Sequence, residues 1–422
     1  MINVRKAAAT VSTERARLMQ LSAVVFLWQA AVGIYFLSLV QQYLPQQLHT
    51  GMAYPGYAMA AYGVARFLWQ TPAGWVADRA GRRVTMVAGL AVSIPVLWLM
   101  MMVRDEQAFL GFSALLGLGA ATMWPAFMAH VGETTPHARR TRTMSLLNIA
   151  QMAGIGVGTF MGVLLVDYVT YGAAFWLCIG FNVLALAMVA RHIDRADQAP
   201  ALVSVADAPP AAQGGWTPGV LVLSVIVLFL TLGTSLHTPM IGAYTHEVLK
   251  VKMSHLALLF PGPAAIAGFI LWRYTHVADR YSRQVPLVLG LAVAAFSIFA
   301  LTLTRSPFLV VNLVVLAGLA YAISIPAWGA AALDATDAGS RGVWLGALSA
   351  VQGLGVAGGQ ALGGVIGGVW GPLAPFKLAA LLLMVALALI IVHQRHQARS
   401  RQARPGPLPA ALVPSVVAVR ID

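Results

Sequence analysis

Polar and apolar positions along the chain neither alternate nor recur every third or fourth residue, as they would on a half-buried strand or a surface helix. They fall into long apolar runs separated by short polar ones. An apolar run of about 18 or more residues, if helical, matches the thickness of a bilayer core. On that measure the chain predicts twelve membrane helices, near residues 18–44, 52–77, 84–103, 107–131, 143–166, 171–191, 217–244, 253–277, 285–304, 307–331, 342–369 and 372–393. The first run is too long for the core of a cleavable signal peptide and passes straight into further spans. Residues 193–216 are polar and contain Ala199-Pro200, Pro209-Pro210 and Gly214-Gly215, the composition of a flexible linker. The pattern therefore predicts a six-helix bundle over 1–192, a cytoplasmic linker over 193–216, a second six-helix bundle over 217–394 and a basic, proline-rich cytoplasmic tail over 395–422.

Composition removes the soluble alternatives. Of 422 residues 59% are hydrophobic and 10% are charged, against roughly a quarter charged in soluble domains. The formal charge of +13 would suit a nucleic-acid binder, but the basic residues lie in short loops and tails rather than on one soluble face. With the N-terminus placed in the cytoplasm, twenty Lys and Arg fall on the inner side, while Arg104, Lys250, Lys252 and Arg305 fall outside. That bias puts both termini in the cytoplasm of a multi-pass inner-membrane protein. Cys178 is the single cysteine, which rules out a disulfide framework and a cysteine metal cluster. His237-x-x-Met240 offers soft ligands but has no clear opposing pair, so no metal site and no cofactor are assigned. The partners expected are a small-molecule substrate, membrane lipids and, as a candidate coupling ion, the proton; nucleic acid is not expected, and the chain is expected to act as a monomer.

The two halves also repeat. A shift of 201 residues carries Ala77-Asp78-Arg79 onto Ala278-Asp279-Arg280, Pro125-Ala126 onto Pro326-Ala327 and Arg140 onto Arg341. The same shift carries Gln151, Gly154, Gly158 and Gly162 onto Gln352, Gly355, Gly359 and Gly363. Both halves start on the same side, so the repeat is parallel and predicts a solute site between the halves near mid-membrane.

Gly74-Trp75-Val76-Ala77-Asp78-Arg79-Ala80-Gly81-Arg82-Arg83 closes the second span, with a degenerate copy at Val277-Ala278-Asp279-Arg280-Tyr281-Ser282-Arg283. This segment resembles the loop 2–3 signature of the major facilitator superfamily, and motif, repeat and span count resemble that family over the whole chain. The resemblance implies an all-α membrane fold of twelve helices in two pseudo-symmetric six-helix bundles. It also implies a gating role for Gly74, Asp78, Arg79, Gly81 and Arg83, and for Asp279 and Arg280. Gly74 would admit a close neighbouring helix and Gly81 a tight turn, while Asp78 could face the N-terminus of helix 11. Two departures weigh against a standard proton antiporter. Ser113 stands where many members carry an Arg before Gly117-Leu118-Gly119, and helix 5 has Gly154, Gly156, Gly158 and Gly162 without the Gly-Pro of drug–proton antiporters.

An ionisable group inside the membrane is a functional candidate. Every carboxylate lies in a tail, the linker or near a membrane face. Arg66 lies twelve residues before Asp78, hence roughly 18 Å up the helix, and shares a face with Tyr62 and Gln70. It either binds a polar or anionic solute or holds a helix junction. His237, in a stripe with Thr234, Ile241 and Tyr244, is either a proton switch or a packing residue. Gln151 and Gln352 sit at equivalent mid-depth positions, as cavity lining or as glue between helices. Trp28, Gln29, Tyr35, Trp124, Tyr321 and Trp328 could complete the wall. The Tyr62-Gly63-Val64-Ala65-Arg66 run leading into the motif resembles the twelve-helix small-molecule efflux branch of the family. The resulting expectation is a secondary transporter of a small organic solute, anionic or neutral ahead of cationic, with efflux implied by that resemblance, and not an enzyme. The alternatives are uptake or facilitated diffusion without proton coupling, or a non-transporting assembly factor on the same fold.

Overall fold

The computed structural model describes residues 2–135, 140–193, 218–275, 284–334 and 341–402, with side chains over 16–135, 143–193, 221–270, 287–324 and 348–395. The linker, Asp279, Arg280 and the end of the tail lie outside these residues, as does the side chain of Trp328. The described residues are helical and linked by short turns. Helix α1 (Ile2–Ile34) continues through a π-helical stretch (Tyr35–Tyr43) to Leu44–Gln47. It is followed by α2 (Tyr54–Ala80), α3 (Arg82–Met102), α4 (Glu106–Thr134), α5 (Arg140–Tyr168) and α6 (Tyr171–His192). In the second half α7 (Pro218–Leu236) continues through a 3₁₀ turn (Thr238–Met240), Ile241–Ala243 and a π stretch (Tyr244–Val248). Then come α8 (Met253–Leu259 and Pro261–Thr275), α9 (Gln284–Leu301), α10 (Pro307–Asp334), α11 (Arg341–Trp370) and α12 (Ala374–Gln402).

Among the described residues, eight helices are long and apolar enough to cross a membrane, or nine with bent α8 counted as one span. The described part of α9, Leu287–Leu301, is shorter. Two segments expected to be continuous are broken. α8 bends by 42° between Leu259 and Pro261, because Pro261 lacks an N–H and crowds the preceding turn. α7 tightens into a 3₁₀ turn around Pro239 for the same reason.

Buried apolar side chains form one large cluster within α1–α6 and another within α7–α12. The glycines of the repeat now have a reason. In α5, a Cβ at Gly154 or Gly158 would strike the backbone of Phe26 or Ala30 on α1. In α11, a Cβ at Gly359 or Gly363 would strike the carbonyls of Leu232 or Leu236 on α7. Each half thus seats its fifth helix directly on the backbone of its first, a contact only small residues permit.

Candidate functional site

The halves meet along α2 and α11, between α5 and the first part of α8, and where the C-terminal stretches of α1 and α7 touch. Small residues allow the first contact. A Cβ on Gly56 would lie 2.6 Å from the Gln360 carbonyl and from Gly364 Cα, and one on Gly364 2.5 Å from the Ala53 carbonyl. Further down α2 the ring of Phe67 still covers Gly353. Among the described residues, Gly74 has no atom within 4 Å of its Cβ position. Trp75 beside it is 57% exposed.

Hydrogen bonds between the halves gather at the end opposite Gly81. The Gln41 side chain donates to the Thr238 carbonyl at 2.8 Å and accepts from the Gly242 N–H at 2.7 Å. Gln42 donates to Met253 Sδ at 3.5 Å, and Gln46 pairs with the His246 ring at 2.8 Å. Asp167 of α5 accepts the Ser254 N–H at 2.7 Å, capping the start of α8 from across the interface. Among the described residues, the hydrogen bonds between the halves therefore lie at this end.

At the motif end, Gly81 turns the chain with φ 93°, a conformation glycine adopts without strain. The Asp78 carboxylate, 65% exposed, pairs with Arg82 one turn on, and Arg82 also reaches Glu133 at 2.9 Å. Asp78 is thus engaged within its own half, where the sequence reading had it facing α11. Arg79 stacks over Trp75 at 3.6 Å, and Arg83 donates to the Ala190 carbonyl.

The mid-depth candidates divide into two groups. In the first half Tyr35 and Tyr62 stand 5.8 Å apart, Trp28 stacks on Trp124 at 5.7 Å, and Arg66 lies beside the Tyr62 hydroxyl. Trp28, Tyr35, Tyr62, Ser93 and Asn182 line a cavity of about 30 Å³, room for a water or two but not for an organic solute. The buried Tyr35 hydroxyl lies beside Ser113 without meeting hydrogen-bond geometry. Gln29 is buried and Gln151 half-buried. In the second half His237 and Tyr244 face inward, against Phe376 of α12 at 5.4 and 5.1 Å. Tyr244 donates to the Leu301 carbonyl at 2.8 Å. His237 Nδ1 is closed off from solvent, near the Gly233 carbonyl but outside hydrogen-bond geometry. Gln352 and Tyr321 are exposed.

The structure also pairs residues that the motifs passed over. Tyr43 packs on Phe175 at 5.2 Å and its hydroxyl donates to the Val103 carbonyl at 3.4 Å. Tyr244 packs on Phe376 at 5.1 Å and reaches the Thr304 carbonyl at 3.4 Å. Both tyrosines and both phenylalanines obey the 201-residue offset, so the repeat could have located this clasp. Gln41, Asp167 and Arg82 carry no comparable sequence signal as bridging residues.

Comparison with known proteins places this geometry. A family model described as Major Facilitator Superfamily matches residues 21–276 and again 223–421. Among curated relatives, the "Proton-coupled antiporter flippase LtaA" of Staphylococcus haemolyticus is 24% identical over 81% of this chain and 85% of that protein. The "Inner membrane transport protein YajR" of Escherichia coli is 24% identical over 79% of this chain and 74% of its own length. A crystal structure of a mutant of the nucleoside transporter NupG superposes with a TM-score of 0.70 at 13% identity, covering 89% of this chain and 99% of that one.

Proposed function

The chain belongs to the major facilitator superfamily, a family of transporters, and on that premise we propose that it exports a small organic solute across the inner membrane by alternating access. The observation that carries the reading is where the described contacts between halves lie: hydrogen bonds through Gln41, Gln46 and Asp167 gather at one end, and among the described residues none joins the halves at the motif end. With both termini in the cytoplasm, as the basic-residue bias directs, this geometry is an inward-facing carrier. The two bundles, divided at the 193–216 linker, would rock about a site between them.

Arg66 is the cation nearest the midplane of α2, and the described carboxylates lie toward the helix ends. A cavity so charged favours an anionic or neutral solute and repels a cation in a low-dielectric setting. Gln29, Tyr35, Tyr62, Trp124 and Gln151 are the wall residues proposed with Arg66 in the first half, and Tyr321, Trp328 and Gln352 in the second. Asp78, Arg79, Gly81 and Arg83, with Asp279 and Arg280, are the proposed gate at the cytoplasmic face.

A second reading, proton-driven antiport, is favoured by the printed name of the staphylococcal relative. His237 is the titratable ring nearest the helix break that the halves share, and packing against Phe376 is its competing role. The test is solute flux in proteoliposomes, with candidates first ranked by thermal shift, with and without an imposed pH gradient, in wild type, Arg66→Ala and His237→Gln. Export of an anionic or neutral solute that fails in Arg66→Ala supports the proposal. Gradient-driven flux that fails in His237→Gln supports the second reading. Flux of cations alone, unchanged in Arg66→Ala, would overturn the solute assignment.

A further inference from the structure

In an unbroken α-helix the Gly242 N–H would donate to the Thr238 carbonyl four residues earlier. In α7 that bond is missing, because the 3₁₀ turn around Pro239 gives the Thr238 carbonyl to the Ile241 N–H instead. The side-chain amide of Gln41, from the other half, fills the gap. Its Nε2 donates to the Thr238 carbonyl at 2.8 Å and its Oε1 accepts from the Gly242 N–H at 2.7 Å. A primary amide carries donor and acceptor side by side, as a peptide group does, so one side chain can splice the broken pair. Gln41 is 3% exposed and sits in the π-helical stretch of α1, facing the irregular stretch of α7. The approach is tight, since a Cβ on Gly242 would lie 2.6 Å from the Gln41 carbonyl.

We infer that Gln41 is the positioning residue that holds this end of the carrier shut, acting as a helix splice supplied in trans. The inference rests on the alternating-access reading above. The device is two-state by construction. When the halves separate, Gln41 withdraws, and Gly242 and Thr238 recover each other as α7 straightens. In both states the Gly242 N–H and the Thr238 carbonyl have partners, and on opening the freed Gln41 amide meets water, so the end can open without a standing penalty at the backbone. Asp167 on Ser254 and Gln46 on His246 reinforce the shut state from neighbouring helices.

The experiment measures distances between spin labels on the full-length protein at Gly51 and Glu247, exposed positions on the two turns at this end. A second pair reports the motif end. The buried Cys178 stays unlabelled. Wild type should show a dominant short distance at this end. Gln41→Leu removes both bonds and should lower the shut-to-open ratio by about tenfold or more. Gln41→Glu keeps the acceptor but loses the donor to Thr238, and should shift the ratio in the same direction. Gly242→Ala leaves the amide intact but drives the helices apart, and should do likewise should Gln41→Leu fail to fold. A wild type with both populations and variants that leave their ratio unmoved would overturn the splice alone. One fixed distance at both ends in wild type and all variants would overturn the splice and the alternating-access reading together.

Discussion

Two glycines of α5, two residues apart and so on different faces, should respond to the same substitution with opposite sign. At Gly158 an added Cβ would fall on the Ala30 backbone, 2.5 Å from its carbonyl carbon and 2.6 Å from its Cα. Relaxed carbon contacts lie near 3.5–4.0 Å, so α5 must move off α1 by about an ångström, and the struck atoms are backbone that cannot rotate away. Gly33, Gly154 and Gly162 share that interface, and their contacts would loosen with it. Overpacking of this kind costs about 1–3 kcal/mol, and the rigid partner puts Gly158→Ala at the upper end. At Gly156 no atom lies within 4 Å of the Cβ position. Alanine there gains at most about 0.5–1 kcal/mol of helix preference, and less in a bilayer, where separated helices stay helical. The single cysteine, Cys178, is buried, so a thiol-reactive fluorogenic dye reports thermal unfolding of the detergent-solubilised protein directly. Gly158→Ala should lower the midpoint by several degrees, and Gly156→Ala should leave it unchanged or raise it slightly. Gly363→Ala, whose Cβ meets the Leu236 carbonyl, should repeat the Gly158 result in the second half. Equal effects at 156 and 158, or a larger loss at 156, would refute the assignment of the glycine repeat to helix seating.

Three further outcomes follow from the same geometry. Tyr35→Phe deletes a hydroxyl that lies beside Ser113 outside hydrogen-bond geometry and should move the melting midpoint by no more than about two degrees; a larger fall would show that the hydroxyl does bond, to Ser113 or to an ordered water. Arg82 joins Asp78 and Glu133 at an exposed rim, so a double-mutant cycle of Arg82→Gln with Glu133→Gln should give a coupling of a few tenths to about 1 kcal/mol that shrinks in high salt, and a larger, salt-insensitive value would contradict a solvated bridge. Reporter fusions at Pro200 and at the C-terminus should both read cytoplasmic, and a periplasmic signal from either would reverse the orientation on which the inward-facing assignment depends.

Hydropathy and repetition are local or near-local properties, which is why the membrane class, the approximate helix positions and the family resemblance were legible from residues alone. A long apolar run has one stable fate in lipid, because its backbone must satisfy its own hydrogen bonds. A constant 201-residue offset needs no coordinates to be seen. Even the glycine columns of α5 and α11 were readable as close-packing sites, though not what they packed against. The contacts that give the carrier its two ends were not readable. Gln41 reaches Gly242 and Asp167 reaches Ser254 across intervals of 201 and 87 residues, and a lone glutamine or aspartate in a sequence does not announce a partner so far away. The same holds for His237, whose stripe looked suited to a cavity but turns onto Phe376. It holds for Asp78, whose carboxylate pairs with Arg82 of its own half. Which face of a membrane helix meets water, lipid or a partner depends on its rotation and on the register between bundles. Packing of the whole chain sets both, since lipid and protein interior are almost equally apolar and hydropathy cannot tell them apart.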